Sequence, residues 1–125
     1  MMTLLRRILR CGSGAAGVEF ALVCVPLVAL IVGIVELGRA LNLRNELAYA
    51  ADQGVRILLM QQGSSAAEEA VRQGFSFGGS EDLQVSVVTA SGSQTLVVSY
   101  PLDLIVPGLN KTPISLRIER KLTAP

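Results

Sequence analysis

From Phe20 to Val35 the chain reads FALVCVPLVALIVGIV, 16 residues without one charge. Extended to Ala15 and Gly38 the segment is 24 residues long, interrupted near its ends by Glu19 and Glu36. As a helix rising 1.5 Å per residue it would cover about 36 Å, enough to cross a hydrocarbon core of about 30 Å with some tilt. Hydrophobic residues make up 50% of the chain and charged residues 17%, against about 25% charged in an ordinary soluble domain, so the apolar surplus belongs in this segment. The net charge of +1 matters less than its distribution. Arg6, Arg7 and Arg10 precede the segment with no acid before Glu19, which orients the N-terminus toward the cytoplasm and exports the C-terminal part of the chain. A cleaved secretory signal has the same outline, but a small-x-small site is expected directly after its apolar region. Here Glu36-Leu37-Gly38-Arg39 stands in that place, and a retained membrane anchor is expected.

Several kinds of chemistry find no support. The chain has no histidine and no tryptophan, which removes the commonest general base and metal ligand. Cys11 and Cys24 lie before and inside the apolar run, so neither is placed to staple an external domain. Gly12-Ser13-Gly14 is too short for a phosphate cradle and lacks its lysine. Glu68, Glu69, Glu81 and Asp82 show no calcium-loop spacing. No basic patch beyond the leader arginines suggests nucleic acid. No catalytic residue, metal, cofactor or small-molecule substrate is expected, and the chain is not expected to be an enzyme.

Helical periodicity continues past the apolar segment. Leu43, Leu47, Ala51, Val55 and Leu58 or Leu59 recur at steps of three or four, with Arg44, Asn45, Asp52, Gln53 and Arg56 largely off that stripe. The spacing predicts one helix running to about Gln62, an Asp52 to Arg56 ion pair within it, and a second helix over Ser65 to Gln73 opened by a capping box of Ser65 and Glu68. Gly54 inside the helix suggests close packing against the sheet. Pro26 is expected to kink the membrane segment. Beyond a loop at Gly74 to Ser80 the period becomes two. Leu83, Val85 and Val87 alternate with Gln84 and Ser86, Leu96, Val98 and Tyr100 with Val97 and Ser99, and Ile114, Leu116 and Ile118 with Ser115, Arg117 and Glu119. Ser91-Gly92-Ser93-Gln94 reads as a tight hairpin, and Pro101 to Pro113 as a longer loop carrying the apolar Leu104-Ile105-Val106-Pro107. The expected fold is α+β: a single-pass N-terminal transmembrane helix continues as a long amphipathic helix packed on a small three-stranded antiparallel sheet.

Glu19 is the most informative residue. A carboxylate four residues into an apolar segment costs several kcal/mol unless it is neutralised, paired or drawn to the interface. It sits in Gly14-Ala15-Ala16-Gly17-Val18-Glu19-Phe20, with a basic leader before it and the apolar run after it. That arrangement resembles the processing site of type IV prepilins. More broadly, the stretch from Gly14 to Ile57 is similar to the TadE-like family of pseudopilins and minor pilins of the tight-adherence, or Flp, pilus. The likeness rests on Glu19-Phe20, on the membrane exit Glu36-Leu37-Gly38-Arg39, and on Ala50-Ala51-Asp52-Gln53-Gly54-Val55-Arg56.

The resemblance implies a leader over 1–14 removed by a membrane prepilin peptidase between Gly14 and Ala15, a transmembrane helix over 15–38 and an exported domain over 39–125. It implies a chain in the bacterial inner membrane whose partners are the peptidase, sibling pilin or pseudopilin subunits and the inner-membrane assembly platform. Glu19, beside Phe20, would neutralise the new amine of a neighbouring subunit, and loss of the arginines would ease extraction from the bilayer. Glu36 and Arg39, one turn apart, are expected to pair at the outer interface. The alternative from another class is an unprocessed, permanently anchored scaffold of a secretion or pilus-assembly complex, and the processing junction separates the two.

Overall fold

The computed structural model describes residues 13–105 and 114–123. The leader residues Arg6, Arg7, Arg10 and Cys11 and the Val106 to Pro113 part of the apolar loop fall outside them. Five elements succeed one another along the chain: α1 (Ser13–Leu59), α2 (Ser64–Gly74), β1 (Gln84–Ala90), β2 (Ser93–Leu102) and β3 (Ile114–Thr123). The chain divides into two units, Met1–Glu36 and Leu37–Pro125.

In the first unit α1 is continuous through Pro26, although proline lacks the N–H that would close its helical bond. Its large apolar side chains from Val18 to Val35 are exposed apart from Val32, which is half-buried.

In the second unit α1 ends at Leu59, three residues before the expected stop. Gln61 takes a positive φ of 57°, its N–H bonds the Leu58 carbonyl at 3.0 Å, and the Gln62 N–H reaches the Ile57 carbonyl at 3.3 Å. This pair of bonds is the Schellman pattern that satisfies carbonyls at a helix end, so Met60 to Gln62 serve as the cap. The expected capping box does not form. Helix α2 starts one residue earlier than predicted, its N-cap is Gly63 at φ 96° and ψ 164°, and no side chain caps it. That backbone region is open essentially to glycine alone, and the Gly63 carbonyl accepts from Ala67 at 3.2 Å.

The sheet is antiparallel in the order β1-β2-β3. Ala90 pairs with Ser93, leaving Ser91 and Gly92 as a two-residue turn with φ of 49° and 79°, the sign pattern of the twist-matched hairpin turn. Pro101 and Leu102, expected in a loop, close β2 instead and pair with Ser115 and Ile114. Register places Val98 between Val85 and Ile118, and Val87 beside Leu96, so one side of the sheet is apolar. Against that side lie Leu43, Leu47, Ala50, Ala51 and Leu58 of α1 and Ala67 and Val71 of α2, with Phe75 and Leu83 completing the core. The central strand contributes most: Leu96 and Val98 are fully buried. Val55, predicted on the apolar stripe, is half-buried, and Leu59 is exposed.

The small residues of α1 decide how closely these layers approach. A Cβ at Gly54 would stand 2.5 Å from Val71 Cγ2 and 2.9 Å from Leu96 Cδ2, so α2 and β2 both close onto the helix there. The expected close packing at Gly54 is present, and it engages the second helix as well as the sheet.

Candidate functional site

The candidate site is the surface of α1 over residues 13–36. Gly14, Ala15, Glu19 and Phe20 are helical and exposed. Ala15 and Glu19 are four apart and therefore lie on one face. Phe20 is 71% exposed, and Leu22, Val25, Leu30 and Ile34 are likewise open. Among the described residues one helix is long and apolar enough to cross a membrane, and its apolar window is 0% buried. The core helix of a water-soluble domain would bury that face. Left in water, side chains of this size would each forgo about 1.5–3 kcal/mol of burial energy, so the unit is suited to lipid or to other apolar helices.

At the other end of this segment Glu36 is only 9% exposed. Arg39, one turn on, sends its guanidinium Nη1 to the Asp103 carbonyl at 3.5 Å, tying α1 to the chain just past β2.

Within the second unit Asp52 does not take the partner that spacing suggested. Its carboxylate accepts from Arg120 Nε of β3 at 3.0 Å, so the ion pair crosses from helix to sheet rather than running to Arg56. The reason is register: Arg120 pairs with Leu96 and so shares the helix-facing side of the sheet. A second feature carried no signal in the hydrophobic pattern. Phe75, Phe77 and Tyr100 gather, with ring centroids 5.0 and 6.4 Å from Tyr100, inside the range of favourable aromatic pairs. They anchor a segment that Arg72 also holds, through the Ser80 and Leu83 carbonyls at 3.1 and 3.3 Å.

A groove of about 680 Å³ opens where the end of α1 meets the hairpin, lined in part by Leu58, Leu59, Thr89, Gln94 and Leu122. Among the described residues no ionisable side chain lines it. Among the described residues no three His, Cys, Asp or Glu side chains gather into a possible metal site, and Cys24 is a free thiol.

No curated protein and no solved structure matches the chain. The model of one family does match, over residues 14–56, from the exposed apolar helix into the face that packs on the sheet. Residues 14–56 are thus similar to TadE-like proteins, in a chain of α+β fold with a candidate membrane helix at its N-terminal side.

Proposed function

We propose that this chain is a TadE-like pseudopilin or minor pilin that contributes to assembly of Flp-type, tight-adherence pili and hence to surface adhesion. Its role is structural, not enzymatic. A membrane prepilin peptidase cuts between Gly14 and Ala15, and the mature helix associates with sibling subunits and the inner-membrane assembly platform. Until then the chain crosses the inner membrane once, N-terminus in the cytoplasm and sheet domain exported.

The observation that carries this reading is the position of Glu19. Its carboxylate lies four residues beyond Ala15, exposed on a helix whose apolar window is 0% buried, and within the family match. Such a charge in apolar surroundings calls for a partner, and an N-terminal amine on the neighbouring subunit supplies one of opposite sign. Cleavage would create that amine at Ala15.

Intact-mass measurement and N-terminal sequencing of the chain, expressed with and without a prepilin peptidase, test the proposal. A mature terminus at Ala15 that requires the peptidase, and that is lost or reduced in Gly14→Ala, is the expected result. Glu19→Ala tests assembly, with recovery in sheared pili expected to fall even where cleavage proceeds. An intact N-terminus under conditions where a known prepilin is cut would refute the reading and leave a permanently anchored scaffold.

A further inference from the structure

Strand β3 is ten residues long, and every one of them pairs with β2 on one side. On its other side no backbone group has a partner among the described residues. The two edges of the sheet differ: β1 is seven residues long and has α2 packed against it. A long uncovered edge is a template for one more strand.

The side chains of β3 define what that strand would carry. On the helix-facing side Leu116, Ile118 and Leu122 are half-buried, whereas Leu96 and Val98 of the adjacent strand are fully buried. One more strand bearing apolar residues on that side would complete their cover. The opposite side presents Arg117, Glu119 and Lys121. Arg117 and Glu119 pair at 2.7 Å with side chains 60% and 55% exposed, and Lys121 has no ion-pair partner among the described residues.

We propose that the β3 edge docks an extended segment of a partner protein, added antiparallel as a fourth strand. The segment alternates apolar residues with an acid, a neutral polar residue and an acid at two-residue steps. The acids face Arg117 and Lys121, the polar residue faces Glu119, and the apolar residues cover Leu116, Ile118, Leu122 and the aliphatic stem of Arg120, whose guanidinium is held by Asp52. Antiparallel addition continues the order already present, and opposite charges directly across strands favour it. The inference stands on the second unit alone and is independent of any processing at Gly14.

The test uses the full chain in detergent micelles and a labelled seven-residue peptide in which valine alternates with glutamate, threonine and glutamate, read by fluorescence anisotropy against micelles alone. Saturable binding is expected, about tenfold weaker when lysine replaces both glutamates. The exposed double substitution Arg117→Glu with Lys121→Glu should reverse that preference. N-methylation of alternate peptide residues along one edge should abolish binding, and along the other should spare it. Absence of saturable binding up to about 1 mM, indifference to peptide charge, or equal sensitivity to methylation of either edge would overturn the proposal.

Discussion

Replacing Gly54 by alanine should destabilise the second unit, even though the same change in an exposed helix interior stabilises by about 1 kcal/mol. The added Cβ would lie 2.5 Å from Val71 Cγ2, 2.9 Å from Leu96 Cδ2 and 3.3 Å from the Ala67 carbonyl oxygen. Carbon atoms prefer separations of about 3.5–4.0 Å, so something must move. Val71 is helical and fully buried, and a β-branched side chain there has essentially one rotamer. Leu96 is fully buried too, and the third neighbour is backbone. Overpacking of this kind costs about 3 kcal/mol, so after the propensity gain the net loss is about 2 kcal/mol. For a domain of this size that lowers Tm by about 10 °C. Thermal unfolding in micelles, together with hydrogen exchange at the β2 amides, would measure it. Gly38→Ala is the control, since a Cβ there meets nothing within 4 Å, and it should cause no loss. Adding Val71→Ala to Gly54→Ala removes the nearest obstacle, and the double-mutant cycle should show favourable coupling of about 1–2 kcal/mol. A Gly54→Ala protein as stable as its parent would refute the packing argument.

Other positions give sharper or weaker responses. A cycle of Asp52→Asn and Arg120→Gln should show coupling below about 1 kcal/mol, fading with salt, because both side chains are about half exposed; a larger coupling between Asp52 and Arg56 would contradict the helix-to-sheet pairing. Leu96→Ala, at a fully buried site, should cost about 3 kcal/mol by denaturant unfolding, against less than about 0.5 kcal/mol for Val88→Ala on the exposed side. Gly92→Ala forces a side chain into φ 79° and should cost about 1 kcal/mol, seen as faster exchange at the hairpin amides.

Periodicity carries most of the second unit. Leu43, Leu47 and Ala51 at helical spacing, and Leu96 and Val98 at strand spacing, are the buried set because each pattern faces a single partner layer. The properties that escape it are those that depend on the partner. Asp52 to Arg56 has ideal helix spacing, yet Arg120 wins because the strand register brings it to the helix-facing side. A signal is present: Arg120 shares the even parity of Leu116, Ile118 and Leu122. The Ser65 and Glu68 box matches its pattern but not its position, since the chain turns at Gly63 through a conformation glycine supplies. Pro101 reads as a strand breaker, although a proline can sit near the end of a strand where its missing N–H costs least. The exposed carboxylate of Glu19 is legible for a different reason. A carboxylate and a small-residue turn of helix stand out in an apolar run because lipid penalises charge far more than water does.

Helix α1 changes composition along its length. Over 13–36 its apolar residues point in every direction and none of the large ones is buried; over 37–59 they condense onto one stripe, with small residues Ala50, Ala51 and Gly54 where the second helix and the sheet approach. The family match ends at residue 56, so it covers the apolar segment and most of that stripe but none of the sheet. Leu43, Leu47, Ala50 and Ala51 of the core thus lie in the matched segment, and the rest of the core lies beyond it. The helix face needs small residues at Ala50 and Gly54, while the sheet needs only alternation.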